Sequence, residues 1–419
     1  MATRTFHHPR ARGYDSWFGY WHHANDYWSH VEGSCPSVSE TRDLWLYNST
    51  HDGPALEYAN GASCSQSTQT PEGGETCVFE DTLFTDRVIE LLNVHDPNDP
   101  LFLFWSMHLV HMPLQVPQAY LDRFNFIGDK ERQLMHAMSS LLDANVGRVV
   151  KELKRLALWD DAVVVFHADN GGEILGAGVC GGNNWPLRGG KFANWEGGIR
   201  VNAWVSGGRL PAARRGAVEH GLVEIADWYA TYCALAGVDA TDHVAAAAGL
   251  PPVDGIDQWP LIAGTAGGHT GVAPPRTEII IGDTTAITPN GDGKARVGGL
   301  INGSYKLLLG APDKLYLVGQ DVLTGPSWPN ESSHLVPMAH SRTCGRAAKK
   351  ACFFDIFRDP TETTNLAEDP AHAPVFARML ARIDSLQAGC YSPDRGSTDK
   401  RACAQLEASG DYWGPWLDR

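Results

Sequence analysis

An α/β fold with a small α+β unit behind it is predicted by three features of this sequence of 419 residues. Two short, continuous apolar runs, 101–107 and 162–166, read as strands buried on both faces. A long amphipathic helix pattern lies between them, and such alternation is the pattern of an open, mostly parallel sheet with intervening helices. Near residue 284 the texture changes to hairpin and helix, so a division into residues 1–284 and 285–419 is expected.

In chain order, the first helix is expected over 82–92. There Leu83, Val88, Ile89 and Leu92 share a face, and acidic Glu80 and Asp81 suit the positive end of a helix. The strand 101–107 runs into His108 to Pro113. Leu134, Met138, Leu141, Leu142, Val146, Val149, Leu153 and Leu156, spaced by threes and fours, predict the long helix that feeds strand 162–166. Residues 200–205 and 278–281 are further strands, with a helix over 222–235 between them that Gly237 closes. Asn302-Gly303 predicts a hairpin turn with both residues at positive φ. A terminal helix is expected over 374–386. Residues 241–249 and the Gly/Pro-rich 263–275 read as loops, and no internal repeat is visible.

Lys and Arg total 34 against 49 Asp and Glu, a formal charge of −15. An acidic chain without a basic stripe excludes nucleic acid as a partner. No uncharged apolar run reaches the roughly 18 residues a membrane span needs; His108 and His111 interrupt the nearest, 101–114. Nine cysteines, with the close pairs Cys344/Cys352 and Cys390/Cys403, and glycosylation sequons at Asn48, Asn302 and Asn330 point to the secretory pathway. The odd count leaves a thiol unpaired within the chain. Met1 to Arg12 is polar, so no signal peptide is readable there.

Strand 163–166 ends in His167-Ala168-Asp169-Asn170-Gly171-Gly172. Functional groups of open α/β sheets gather just past strand ends, and an Asp-Asn pair there offers hard oxygen ligands for a metal. The same letters also make a common turn. A longer and more specific run comes next: Gly181-Gly182-Asn183-Asn184-Trp185-Pro186-Leu187-Arg188-Gly189-Gly190-Lys191, then Trp195-Glu196-Gly197-Gly198-Ile199-Arg200. This run resembles the sulfatases, in particular the arylsulfatase B (N-acetylgalactosamine-4-sulfatase) branch. Arg12-Gly13-Tyr14-Asp15-Ser16-Trp17-Phe18-Gly19-Tyr20 with Asp26-Tyr27-Trp28-Ser29-His30 is similar to a second segment of that branch. Val110-His111-Met112-Pro113-Leu114-Gln115-Val116-Pro117 is similar to a third, and Phe354-Asp355-Ile356 with Asp359-Pro360 and Asn365-Leu366-Ala367 to a fourth, in family order.

The resemblance implies an alkaline-phosphatase-like three-layer α/β sandwich, incomplete at its N-terminus, with a small C-terminal α+β domain. It implies a sulfuric ester hydrolase cleaving a sulfated carbohydrate or aryl sulfate, in the lysosome or outside the cell. Asp169 and Asn170 would supply half of a calcium site, Lys191 would contact the sulfate, and His111 would protonate the leaving alcohol. The family's nucleophile is a formylglycine made from a Cys-x-Pro-x-Arg motif. That motif and the other calcium aspartates belong before Arg12-Gly13-Tyr14, where only Met1 to Ala11 stand. Cys35-Pro36-Ser37-Val38 does not match it, and neither does any other cysteine. The chain is therefore expected to lack its N-terminal part, to turn over no aryl sulfate and to bind calcium weakly. A catalytically dead, sulfatase-like binding protein using the Lys191 and His111 face is the alternative. A phosphohydrolase of the same superfamily fits less well, because the sulfatase-type run is present.

Other residues read more plainly. His108 is expected at the edge of the core, and His7, His8, His22, His23 and His30 in a solvated loop. Arg188 is a possible anion binder, Arg200 an ion-pair former, and Trp195 and Glu196 pack the turn around Lys191. Cys180 is expected as a free thiol or a disulfide partner.

Overall fold

The computed structural model describes residues 7–417 apart from 34, 36–37, 39, 59–63, 65–76, 175–179, 268–271, 283–295, 311–322, 327, 330–343, 391–398 and 400. The chain begins with an antiparallel sheet of β1 (Trp17–Gly19), β2 (Trp45–Tyr47) and β3 (Asp52–Pro54). Then come α1 (Glu80–Val94), α2 (Gln118–Leu121), α3 (Lys130–Arg155), β4 (Val164–His167), α4 (Glu196–Ile199), β5 (Ala203–Ser206), α5 (Asp227–Ala236), α6 (His243–Ala247) and α7 (Trp259–Ile262). A second antiparallel sheet has the order β6 (Glu278–Gly282), β7 (Val297–Asn302), β8 (Tyr305–Leu308) and β9 (Cys352–Asp355). The chain ends with α8 (Ala373–Gln387) and α9 (Arg401–Ala408).

The expected long helix forms as α3. Asp129 caps it by accepting the Arg132 N–H, and Leu134, Ala137, Met138 and Leu141 bury the apolar stripe against Phe79, Leu109, Leu114 and Val116. α1 starts two residues early, so Glu80 and Asp81 are drawn inside and buried. α5 closes at Gly237 with φ 70, as expected. α8 lies on one face of the second sheet, where Leu300, Leu307 and Phe353 meet Phe376, Met379 and Ile383. The other face presents Ile301, Leu308 and Phe354 to Trp195 and Ala193. That sheet thus backs the turn that carries Lys191.

Several expectations are corrected. The β4–β5 ladder runs antiparallel, Val164 opposite Ser206 and His167 opposite Ala203, and no parallel ladder between strands is found among the described residues. Residues 101–107 are extended but carry no ladder, and Leu101, Phe102 and Phe104 stand 46%, 58% and 67% exposed. A strand buried on both faces needs neighbours on its edges, and none of the described strands supplies them. In the hairpin, Asn302 pairs with Tyr305, so the loop is Gly303-Ser304; only Gly303, at φ 58, has positive φ, the requirement of a turn with glycine first. Residues 243–247 are a helix rather than loop because Asp242 caps it on the Ala245 N–H. Cys344 pairs with Cys352, but Cys403 pairs with Cys35 and leaves Cys390 free; α9 packs beside Trp21 and Cys35. A third bridge joins Cys64 and Cys77. Asn330 lies outside the described residues.

Candidate active site

His111 and Lys191 meet at one point, Lys191 Nζ lying 2.8 Å from His111 Nε2. His111 sits on the tight turn after the extended run 101–107, its N–H donating to the His108 carbonyl. Its ring is fixed by Nδ1, 2.8 Å from the Met112 carbonyl. With that N–H donated, Nε2 is a lone pair that accepts from the Lys191 ammonium. Burial lowers the His111 pKa, the Lys191 and His108 charges lower it further, and the Met112 carbonyl opposes them. His111 is therefore a neutral acceptor, poised to take a proton.

Tyr27 grips this turn. Its hydroxyl is shared between the His108 and His111 carbonyls at 3.0 and 2.9 Å, and its ring stacks on His108 and Phe79. Gln115 ties the same segments together, accepting the Tyr27 N–H and donating to Asp26 Oδ2. Sequence reasoning named Tyr27 only as part of a motif. Its role came from packing between residues about 80 apart, which no local pattern encodes.

Lys191 is placed by backbone against backbone. Its N–H donates to the Gly172 carbonyl, Gly171 N–H to Gly198, and Gly197 N–H to Arg188. A Cβ on Gly171 would stand 1.7 Å from the Gly197 carbonyl oxygen, and one on Gly197 would stand 2.2 Å from that of Gly189. The glycine pairs therefore exist so that three turns can interlock. Phe192, next to Lys191, holds φ 72, a left-handed conformation that costs a bulky residue about 1–2 kcal/mol.

Asp169 and Asn170 follow β4 after one residue, Ala168, and stand three and two residues before Gly172. Asp169 is exposed, its Oδ1 accepting the Asn170 N–H at 2.8 Å. Their segment thus runs beside Lys191, joined to it through Gly172. Two hard oxygens in an open position suit a cation such as calcium but fill only part of its shell. Tyr20 feels Asp169 together with buried acids: burial raises its pKa, and the charges of Glu80, Asp81, Asp43 and Asp169 raise it further.

Those buried acids were not foreseen. Glu80, Asp81 and His108 are the one group of three or more His, Cys, Asp or Glu side chains with metal-ligand spacing among the described residues. Glu80 Oε1 lies 2.9 Å from His108 Nδ1, and Oε2 accepts from Asn25. Burial raises Glu80 to about 8 and Asp81 to about 7, and lowers His108 to about 4. Near pH 7 Glu80 therefore keeps its proton, His108 is neutral and Asp81, which accepts the His108 backbone N–H, is partly ionised; Asp169 and Asn170 are not part of this group.

Arg188 is not open to anions. It is 1% exposed, lies 3.5 Å over the Trp195 ring and donates to the Glu362 carbonyl. Beside it Lys306 Nζ is 2.9 Å from both Glu196 Oε1 and Glu362 Oε1, and Glu362 Oε2 accepts the Glu196 N–H that opens α4. The only sequence signal for this network was a lysine inside the apolar run Tyr305-Lys306-Leu307-Leu308. Arg200 pairs with Glu196 as expected, at 3.9 Å, and Trp195 is fully buried. His8, His22 and His30 do not lie in a solvated loop: His8 packs among Trp17, Trp21 and Tyr47, His22 bonds Asp43 at 2.6 Å, and His30 is 1% exposed. Cys180 forms no disulfide, and its thiol donates to the Ile174 carbonyl at 3.1 Å.

No helix among the described residues is long and apolar enough to cross a membrane. Comparison with known proteins gives a consistent picture. Arylsulfatase J of Mus musculus is 28% identical over 411 residues, covering 97% of this chain and 61% of that protein. Arylsulfatase A of Homo sapiens is 34% identical over 294 residues, 69% of this chain and 49% of that one. N-acetylgalactosamine-6-sulfatase of Canis lupus familiaris is 26% identical, covering 63% and 45%. The chain thus spans about half to three fifths of these relatives. Among solved structures, Ps i-CgsB in complex with k-i-k-neocarrahexaose superposes with a TM-score of 0.63 at 18% identity, covering 97% of this chain and 73% of that one. BT4656 in complex with D-Glucosamine-2-N, 6-O-disulfate gives 0.54 at 13% identity, covering 90% and 76%. At these identities the likeness is one of fold, and it is the α/β fold expected. The sequence model of the family described as Sulfatase matches residues 3–238, more than half of the chain, and the protein belongs to the sulfatase family.

Proposed function

We propose that the chain is the larger part of a sulfuric ester hydrolase of the arylsulfatase type, acting on a sulfated sugar or an aryl sulfate. The observation that carries this reading is the 2.8 Å contact of Lys191 with His111 beside the strand end bearing Asp169 and Asn170. Lys191 would draw the sulfuryl oxygens, a fixed ammonium in a partly dry site being stronger than one in water. An anionic ester there would lift the depressed His111 pKa, so Nε2 could take a proton and pass it to the leaving alkoxide. Asp169 and Asn170 would be ligands of calcium, which would neutralise sulfuryl charge when bound.

None of the nine cysteines stands in a Cys-x-Pro-x-Arg context. The formylglycine nucleophile and the remaining calcium ligands are therefore proposed to come from sequence outside these 419 residues, in keeping with the 61% of Arylsulfatase J that the chain spans. The arylsulfatase B branch, a sulfated hexosamine as substrate, and a lysosomal or extracellular site with glycans on the sequons belong to the same proposal; three disulfides support an oxidising compartment. The competing reading is a catalytically dead protein that binds sulfated sugar through the same face.

Turnover of a chromogenic aryl sulfate with added calcium separates the two. The protein extended by the coding sequence preceding Met1 should release the phenol, and the 419-residue chain should not. Activity of the unextended chain that Lys191→Ala abolishes would contradict an external nucleophile. An inactive extended protein would favour the binding role.

A further inference from the structure

We infer that a second saccharide subsite lies beside the Lys191–His111 pair and takes a neighbouring ring of a sulfated oligosaccharide. It is the cleft where the start of α3 faces the loop bearing Trp185 and the segment bearing Trp328. The inference rests on the proposal that the pair receives a sulfate ester.

The cleft holds about 600 Å³, within the range of small-molecule sites. Phe124, Trp185 and Trp328 give it flat apolar walls, and Trp185 is 52% exposed. Large aromatics held open to solvent are amphipathic platforms suited to a ligand with one apolar face. Arg132 and His136, four apart on α3, share a helix face; Arg132 brings guanidinium N–H donors, and His136 donates its Nδ1 proton to the Arg132 carbonyl at 2.9 Å. Among the described residues no Asp or Glu lines the cleft, in a chain whose acids outnumber Lys and Arg by 49 to 34. Aromatic faces with a guanidinium and no carboxylate match a sugar ring that carries sulfate: the C–H face stacks, and the sulfate oxygens accept charge-assisted hydrogen bonds. A cationic ligand would find no counter-charge there.

The cleft is built, and it is tied to the candidate site. Asn183 donates to the Gly325 and Trp328 carbonyls at 3.1 and 3.2 Å and accepts from the Thr324 hydroxyl at 2.7 Å, which holds the Trp328 wall in place. Asn184 donates to the Gly172 carbonyl at 2.8 Å, the same oxygen that accepts the Lys191 N–H. One carbonyl therefore anchors both the Trp185 loop and Lys191, and it is this shared anchor that ties the cleft to the candidate site.

The test is binding to the 419-residue chain of a chondroitin sulfate hexasaccharide, its unsulfated counterpart and inorganic sulfate, read by isothermal calorimetry. Trp185→Ala and Arg132→Gln should each weaken the sulfated hexasaccharide about tenfold and leave inorganic sulfate unchanged. Trp185→Phe, which keeps a flat face, should retain most of the affinity, so that a folding defect in the alanine variant does not decide the matter. Hexasaccharide binding that is insensitive to both Trp185→Ala and Arg132→Gln, yet lost in Lys191→Ala, would overturn the subsite and leave the proposed hydrolase intact. Equal binding of the unsulfated chain would overturn its chemistry. Hexasaccharide binding that depends on Trp185 without any binding of inorganic sulfate would support the subsite while removing the reading of Lys191 and His111.

Discussion

Lys306 shows how one residue can serve a site it never touches. It is fully buried between Glu196 and Glu362, and Glu196 opens the helix that follows the Lys191 turn. Removing the cation leaves two carboxylates buried together, and burial already raises the pKa of Glu362. Breaking a buried pair from one side typically costs about 3–5 kcal/mol, so Lys306→Met should lower the stability of the chain by that order in urea unfolding. A loss within about 0.5 kcal/mol, the range of ordinary surface substitutions, would mean that the network contributes little. At this scale a motif named His111 and Lys191, which lie 2.8 Å apart, and Asp169 and Asn170, whose segment is joined to Lys191 through Gly172. The sequence did not show the partners of Lys306, Glu362 and Tyr27, which lie tens to more than a hundred residues away. Arg188 carried the right chemistry for an anion and is buried under Glu362 instead.

Among the elements, helices were legible and strand partners were not. The helices expected over 82–92 and 374–386, and the long one read from three-and-four spacing, form as α1, α8 and α3 to within a few residues, because a helix makes its hydrogen bonds locally. The run 101–107 has the composition of a central strand, yet a ladder depends on its neighbours, and the described strands provide none. The glycine-rich turns are the element that most constrains the site. Gly171→Ala would force a methyl to 1.7 Å from the Gly197 oxygen, so it should destabilise by about 1–3 kcal/mol or more and displace Lys191. Gly147 lies inside α3 with nothing within 4 Å of its Cβ position, so Gly147→Ala should stabilise by about 1 kcal/mol. Thermal unfolding of the two variants, with opposite signs expected, measures this. Equal shifts would argue against the interlocked turns.

Across the whole molecule, the buried trio under the site makes stability depend on pH. Glu80 and Asp81 have folded pKa values raised by burial to about 8 and about 7, so the folded chain keeps protons that the unfolded chain releases. Their contribution is complete below the ordinary carboxyl range and is lost as pH rises to about 8. His108, lowered to about 4, acts oppositely: the folded chain refuses a proton that the unfolded chain binds, so stability falls as pH drops below 6.5. Above 6.5 only the carboxyls contribute, and the melting temperature should decline between pH 6.5 and 8. Glu80→Gln, with no proton to lose, should flatten that decline; an unchanged slope would place the dependence elsewhere. The class of the fold and the family were readable across most of the chain, from motifs in fixed order. The second sheet's role as a backing for the Lys191 turn was not, because it arises from β8 facing two ways, Leu307 toward α8 and Leu308 toward Trp195.

Lys191 and His111 are proposed to form one anion-receiving pair for a sulfuryl group. Nuclear magnetic resonance of the His111 ring, followed through pH in the absence and presence of inorganic sulfate, tests it most directly. The pair predicts a titration below the ordinary imidazole value of 6.5 in the free protein, a rise toward neutrality when sulfate is present, and loss of that sulfate effect in Lys191→Ala. A His111 titration that sulfate does not move, or one that moves equally without Lys191, would contradict the claim.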